Sequence, residues 1–243
     1  MSRGPKMTED LFEFAARQIE PGPSAAAPAA PTPSDPAQVT MQFLLSLRER
    51  GIANIAVLRA METLPREQFV PHRHADLAWR DIALPIACGQ TMPEPFLVAR
   101  MVESLGLLGA HRVLEVGTGN GYSTAILARI ARDVVSVERF HSLAVAAATR
   151  LAGLGLNHAQ VLHGDGLNLS DEIGLFDRII LQGSVKELPT ALLSRLAEGG
   201  IIVYARQGDE GTSLMRLVHE AGGFRTEKIG PCRLQPLISG VLG

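Results

Sequence analysis

The stretch Val113–Tyr122, VLEVGTGNGY, decides the fold. VLEV reads as a buried strand, and the run behind the motif, STAILARIA (123–131), reads as a helix. Between them Gly117, Gly119 and Gly121 stand at alternate positions, which permits a tight turn and close approach of the backbone to a ligand. A dinucleotide fingerprint needs glycine or alanine at position 122, where this chain has Tyr122. No Gly-Lys-Ser/Thr follows, so a phosphate loop is excluded as well.

Downstream, strands are expected at VVSVE (134–138), AQVLHGD (159–165), FDRIILQG (176–183) and IIVYAR (201–206). Helices are expected at 141–155 and at ALLSRLAEGG (191–200). Apolar strands alternating with helices argue an α/β fold, a doubly wound, mostly parallel Rossmann-like sheet. Glu138 closes the second strand and Asp165 the third, at the edge where such sheets bind ligands. Glu138 can accept both hydroxyls of a ribose, and Asp165 an adenine amino group. Three acids at three successive strands, Glu115 beside the glycines among them, suit a cofactor with an amino-acid end, a nucleoside end and no pyrophosphate. S-adenosylmethionine fits that description.

Upstream, VTMQFLLSLRERG and NIAVLRAMETL carry helical apolar spacing, stopped by Gly51 and before Pro65. The main domain is taken as 39–243, divided into an N-terminal helical and loop region (39–100) and a cofactor-binding core (101–243). Residues 8–20 read as a short amphipathic helix in an N-terminal tail (1–20). Residues 21–38, rich in proline and alanine, read as a linker.

The 243 residues suffice for one sizeable core with an appendage. The net charge of −2 leaves no basic footprint for nucleic acid. No apolar run approaches the roughly 20 residues of a membrane helix, and the N-terminus lacks the apolar core of a signal peptide. Two cysteines fit a reducing cytoplasm and read as small buried hydrophobes. Seven histidines without HExxH or CxxC spacing point to no metal. His163 reads as a hydrogen-bonded strand-end residue. A monomer is expected.

From about Leu47 to Ile238 the chain resembles the protein-L-isoaspartate O-methyltransferases. LRERGIANIAVLRAMETLPREQFVP is similar to that family's N-terminal helices, LAWRDIALPIACGQT to its substrate loop and PFLVARMVESL to the next helix. VLEVGTGNGY, SVER, HGDG and FDRII resemble its cofactor motifs, and RLQPLISG its closing strand. The resemblance implies methylation of the α-carboxylate of L-isoaspartyl residues in damaged proteins, so that the ester can cyclise to a succinimide. It implies a cofactor cradle of Glu115, Gly117, Thr118, Gly119, Asn120, Gly121, Glu138, Arg139, Asp165 and Gly166, with Gln90 and Thr91 at the acceptor.

Three departures surround that acceptor. The family writes G-Q-T-x-S-x-P where this chain has Gly89-Gln90-Thr91-Met92-Pro93-Glu94-Pro95, so Pro93 takes the place of the family serine. Proline has neither a side-chain donor nor a backbone N–H. Ala87-Cys88 replaces a glycine-histidine pair, and LQGS (181–184) a Thr-Ala-Ala type turn. One hydrogen bond lost to a charged group costs about 1.5–3 kcal/mol. Three readings stay open: repair at reduced rate with Thr91 supplying a hydroxyl, methylation of another carboxylate, or a non-catalytic cofactor-binding interaction module.

Overall fold

The computed structural model describes residues 36–243. The expected helix at 8–20 and residues 21–35 of the expected linker lie outside the described residues. The remaining linker residues, 36–38, belong to the first helix, α1 (Pro36–Glu49). Proline is tolerated in a first helical turn, where its missing N–H has no partner to lose.

α1 buries Phe43 and Leu47 one turn apart. Asn54 caps α2 (Ile55–Thr63), its Oδ1 accepting the N–H groups of Ala56 and Val57 at 2.9 and 3.2 Å. A two-residue antiparallel ribbon, β1 (Leu84–Pro85) with β2 (Thr91–Met92), closes the loop that carries Gly89 and Gln90. α3 (Pro95–Ser104) follows, with Pro95 at its first position.

The main sheet then runs β3 (Arg112–Val116), α4 (Tyr122–Ile130), β4 (Asp133–Glu138), α5 (His141–Gly153), β5 (Ala159–His163), β6 (Phe176–Val185), the single turn α6 (Thr190–Leu193) and β7 (Leu196–Gly208). A hairpin of β8 (Gly211–Glu220) and β9 (Gly223–Pro231) ends it. Strand order is β5-β4-β3-β6-β7-β8-β9, parallel through β7 and antiparallel beyond. The order reverses between β3 and β6. That is the switch point at which an open α/β sheet leaves a crevice beyond its strand ends.

Right-handed crossovers place α4 and α5 on one face and the connections β5–β6 and β6–β7 on the other. The first face, packed with α1–α4, holds the larger core, including Met61, Met101, Ile126 and Leu127. Short connections carrying Leu167, Leu169, Leu188 and Leu192 cover the second.

Two expected elements differ. The helix expected over 191–200 is one turn, because the N–H of Phe176 takes the carbonyl of Arg195 at 2.9 Å and draws the chain into the sheet. The closing strand expected at 233–240 is an extended segment with an isolated parallel bridge, Ser184 to Pro236. The sheet is closed instead by the β8–β9 hairpin. Of the cysteines expected to be buried, Cys232 is half-buried and Cys88 is exposed. No helix among the described residues is long and apolar enough to cross a membrane.

Candidate active site

A cavity of about 900 Å³ opens at the switch point. Its floor is the turn after β3, where Gly117, Gly119 and Gly121 have φ of 94°, 55° and 87°. Glycine alone adopts such angles without strain. A Cβ on Gly119 would come 3.4 Å from Ile86 Cδ1, narrowing the space between this turn and the substrate loop.

Glu138, at the end of β4, is 4% exposed. Its Oε2 accepts the N–H of Gly119 at 2.8 Å and its Oε1 that of Phe140 at 3.0 Å. A carboxylate has about four acceptor positions, so two remain for a ligand. Arg139 and Gly166 share this end of the cavity. Asp165, beyond β5, accepts from Leu167 N–H through Oδ1, and from Ser239 Oγ and Gly240 N–H through Oδ2. Burial would raise its pKa, but these donors and the charge of Arg139 outweigh burial and hold it below the usual carboxylate value.

Thr118 and Asn120 line the cavity but spend their side chains on the scaffold. Asn120 Nδ2 donates to the Phe69 carbonyl at 2.6 Å, tying the N-terminal helices to the glycine turn. Thr118 and Ser136 hydroxyls lie 2.6 Å apart, and Ser136 donates onward to Glu115 at 2.7 Å. Ser136 has one proton, so Thr118 donates to Ser136.

Glu115 and Gly121 are not on the cavity wall, which corrects the expectation that both touch the cofactor. Glu115 is fully buried beneath α4, where Thr124, Ser136 and Gln182 all donate to it. Burial pushes its pKa up, and these hydrogen bonds, with one from Ser123, oppose the rise. It braces the turn from below. At Gly121 a Cβ would meet that of Ala147 in α5 at 3.3 Å, so its missing side chain serves packing of that helix. His163 lies off the cavity too, its Nε2 donating to the carbonyls of Arg139 and Leu242 at 3.1 and 3.0 Å, as its strand-end reading requires.

From the substrate loop, Gln90, Thr91 and Pro93 line the cavity as well. Gln90 Nε2 donates to the Cys88 carbonyl at 3.1 Å, and Cys88 has φ 58°. A non-glycine residue at that angle in a tight loop is strained. LQGS (181–184) lies within strand β6 rather than in a turn; its Gln182 reaches the cavity, donating to Glu115 and Ser123. Ser184 turns away, its Oγ donating to the Leu234 carbonyl at 3.1 Å.

The roof is the C-terminal segment. Ser184 N–H donates to the Gln235 carbonyl at 2.8 Å, and Leu237 N–H to the Ser184 carbonyl at 2.9 Å. Leu237 thereby covers the cavity, and Ile238, largely exposed, stands at its rim. Sequence reasoning did not find this roof. Residues fifty positions apart meet through backbone groups, and no local pattern marks such a bridge.

The family described as Protein-L-isoaspartate(D-aspartate) O-methyltransferase matches residues 38–241. Protein-L-isoaspartate O-methyltransferase 2 of Rhodopseudomonas palustris strain HaA2 is 47% identical over 202 residues, 83% of this chain and 93% of that protein. The protein-L-isoaspartate O-methyltransferase of Bradyrhizobium sp. strain ORS 278 is 45% identical over 203 residues, 83% and 94% of the two. A solved protein-L-isoaspartate O-methyltransferase superposes with a TM-score of 0.74 at 23% identity, over 83% of this chain and 67% of that one. At that identity the superposition speaks for the fold.

Proposed function

The chain belongs to the protein-L-isoaspartate(D-aspartate) O-methyltransferase family, and on that premise we propose that the cavity described above is where it methylates isoaspartyl residues of damaged proteins. The observation that carries this reading is that one cavity is lined both by Gly119 and Glu138 and by Thr91 and Pro93. Cofactor and acceptor then share it.

The residues fit S-adenosylmethionine. Glu138 keeps acceptor capacity for the ribose, the glycine turn leaves room for a backbone-hugging ligand, and Asp165 and Ile238 border the same end. When bound, that cofactor supplies a sulfonium methyl: a carboxylate oxygen–carbon bond forms as the carbon–sulfur bond breaks, the electron pair staying on sulfur.

This chain's residues align the reactants. The acceptor carboxylate, whose ordinary pKa is about 3.9, is already ionised at neutral pH and needs no general base. Leu237 and Ile86 present apolar surface to it. Gln90 and Thr91, held by the β1–β2 ribbon, flank its approach. Proximity and orientation alone lower barriers by roughly 7–11 kcal/mol in favourable cases. The ester then loses methanol as the next backbone nitrogen attacks its carbonyl and closes a succinimide.

Isoaspartyl-bearing proteins are the partners in this reading. The chain acts as a monomer, and two free cysteines suit a reducing cytoplasm. The test is transfer of labelled methyl from S-adenosylmethionine to an isoaspartyl peptide, scored as base-labile ester, with the aspartyl isomer as control. Ester on the isoaspartyl peptide alone is the expected result. Equal ester on both, or none with cofactor binding intact, overturns the reading.

A further inference from the structure

Pro93 leaves the substrate loop without a side-chain hydroxyl at that position, and the C-terminal segment brings another polar group to the same cavity. Two pins fix where the C-terminal segment runs. Arg100 in α3 donates to the Ile229 carbonyl at 2.6 Å, and Gln235 Nε2 donates to the Gly89 carbonyl at 3.3 Å. Between them the chain passes alongside Gln90–Glu94, close enough that the charge of Glu94 acts on the Cys232 thiol. Side chains alternate along an extended segment. Cys232 and Leu234 are half-buried against the core, while Arg233 and Gln235 are exposed; Gln235 reaches the substrate loop, so Arg233 shares its side, and both line the cavity.

Arg233 is exposed and has no ion pair or hydrogen bond among the described residues. The other charged groups here are of both signs: Glu94 and Arg100 both act on the Cys232 thiol, and Glu210 lines the wall. A guanidinium without a partner on that wall can grip a carboxylate with two parallel hydrogen bonds. Resting on the isoaspartyl reading above, we infer that Arg233 binds the acceptor's α-carboxylate and does the orienting work for which Pro93 has no donor.

The test compares wild type with Arg233→Met and Arg233→Lys. Steady-state methylation of an isoaspartyl peptide is measured together with equilibrium binding of that peptide to the S-adenosylhomocysteine complex. A second peptide carries the α-carboxylate as an amide. Arg233→Met should raise KM and peptide Kd about tenfold or more, as loss of a charge-assisted contact does. S-adenosylhomocysteine affinity should be unchanged, Arg233→Lys should recover part of the loss, and the amide peptide should not tell the three proteins apart. A wild type that methylates the peptide while Arg233→Met keeps its KM and peptide Kd overturns the assignment and leaves the function standing. A wild type that neither binds nor methylates the isoaspartyl peptide overturns the function, and the assignment with it.

Discussion

Glu138 Oε2 accepts the backbone N–H of Gly119 at 2.8 Å, so the carboxylate that ends β4 holds the glycine turn that follows β3. The two cofactor elements are thus one unit before any ligand arrives. Glu138→Gln keeps one acceptor oxygen and loses the charge. Cofactor affinity should fall by roughly one to two decades, the scale of a hydrogen bond to a charged group. Glu138→Ala should fall further, since the N–H groups of Gly119 and Phe140 both lose their acceptor. Calorimetric titration with S-adenosylhomocysteine reads both, and wild-type affinity in Glu138→Ala would refute the role.

Pro93 lies on the cavity wall, where a serine would present a hydroxyl. Pro93→Ser should raise kcat/KM on an isoaspartyl peptide by roughly tenfold, about 1.4 kcal/mol of transition-state stabilisation. If Arg233 already orients the acceptor, the gain is larger in the Arg233→Met background, because the two groups serve one carboxylate. A double-mutant cycle in kcat/KM separates the cases. Equal gains in both backgrounds would mean that they act independently.

The strand, turn and helix of residues 113–130 were legible because their signals are local: an apolar run, three glycines, a second apolar run with helical spacing. Glu138 and Asp165 were legible for the same reason, as acids at strand ends beside the cavity. Glu115 was not. Its position in the motif says nothing of which side of β3 it takes, and it takes the one beneath α4. The helix expected at 191–200 misled because Leu192 and Leu196, one turn apart, are both buried; what ends it at Leu193 is a hydrogen bond to Phe176 on a neighbouring strand. The hairpin β8–β9 carries little local signal, because β9 is mostly exposed and polar, with no apolar run to mark it.

The roof rests on Gly183. A Cβ there would stand 2.6 Å from Leu237 Cγ and 2.9 Å from the Gln235 carbonyl oxygen. The second contact is backbone and cannot rotate aside. Gly183→Ala should lift the C-terminal segment, costing about 1–3 kcal/mol of stability as overpacking does. Hydrogen exchange at Leu237, whose N–H bonds to Ser184, should quicken, and cofactor affinity should drop with it. Unchanged exchange at that amide would show that the roof tolerates the methyl.

Glu115 gives a prediction in pH. Burial raises its pKa above the ordinary carboxylate value, against the pull of its hydrogen-bond donors. In that range the folded protein holds a proton that the unfolded chain has released, so stability falls as pH rises. The contribution is fully present below the unfolded pKa and is lost as pH climbs through the folded one. Asp165, whose pKa is lowered, acts with the opposite sign and at lower pH, and its contribution is common to wild type and a Glu115 variant. The difference between wild type and Glu115→Gln therefore isolates the buried acid. Denaturant unfolding from pH 4 upward should show the variant gaining on wild type as pH rises, then levelling once Glu115 is ionised. Glu115→Ala should lose stability at every pH, because Thr124, Ser136 and Gln182 are left pointing at nothing, each unsatisfied donor costing about 1–3 kcal/mol. A pH-independent difference between wild type and Glu115→Gln would mean that the carboxyl keeps an ordinary pKa, and that its four polar neighbours, Ser123 among them, replace water in full.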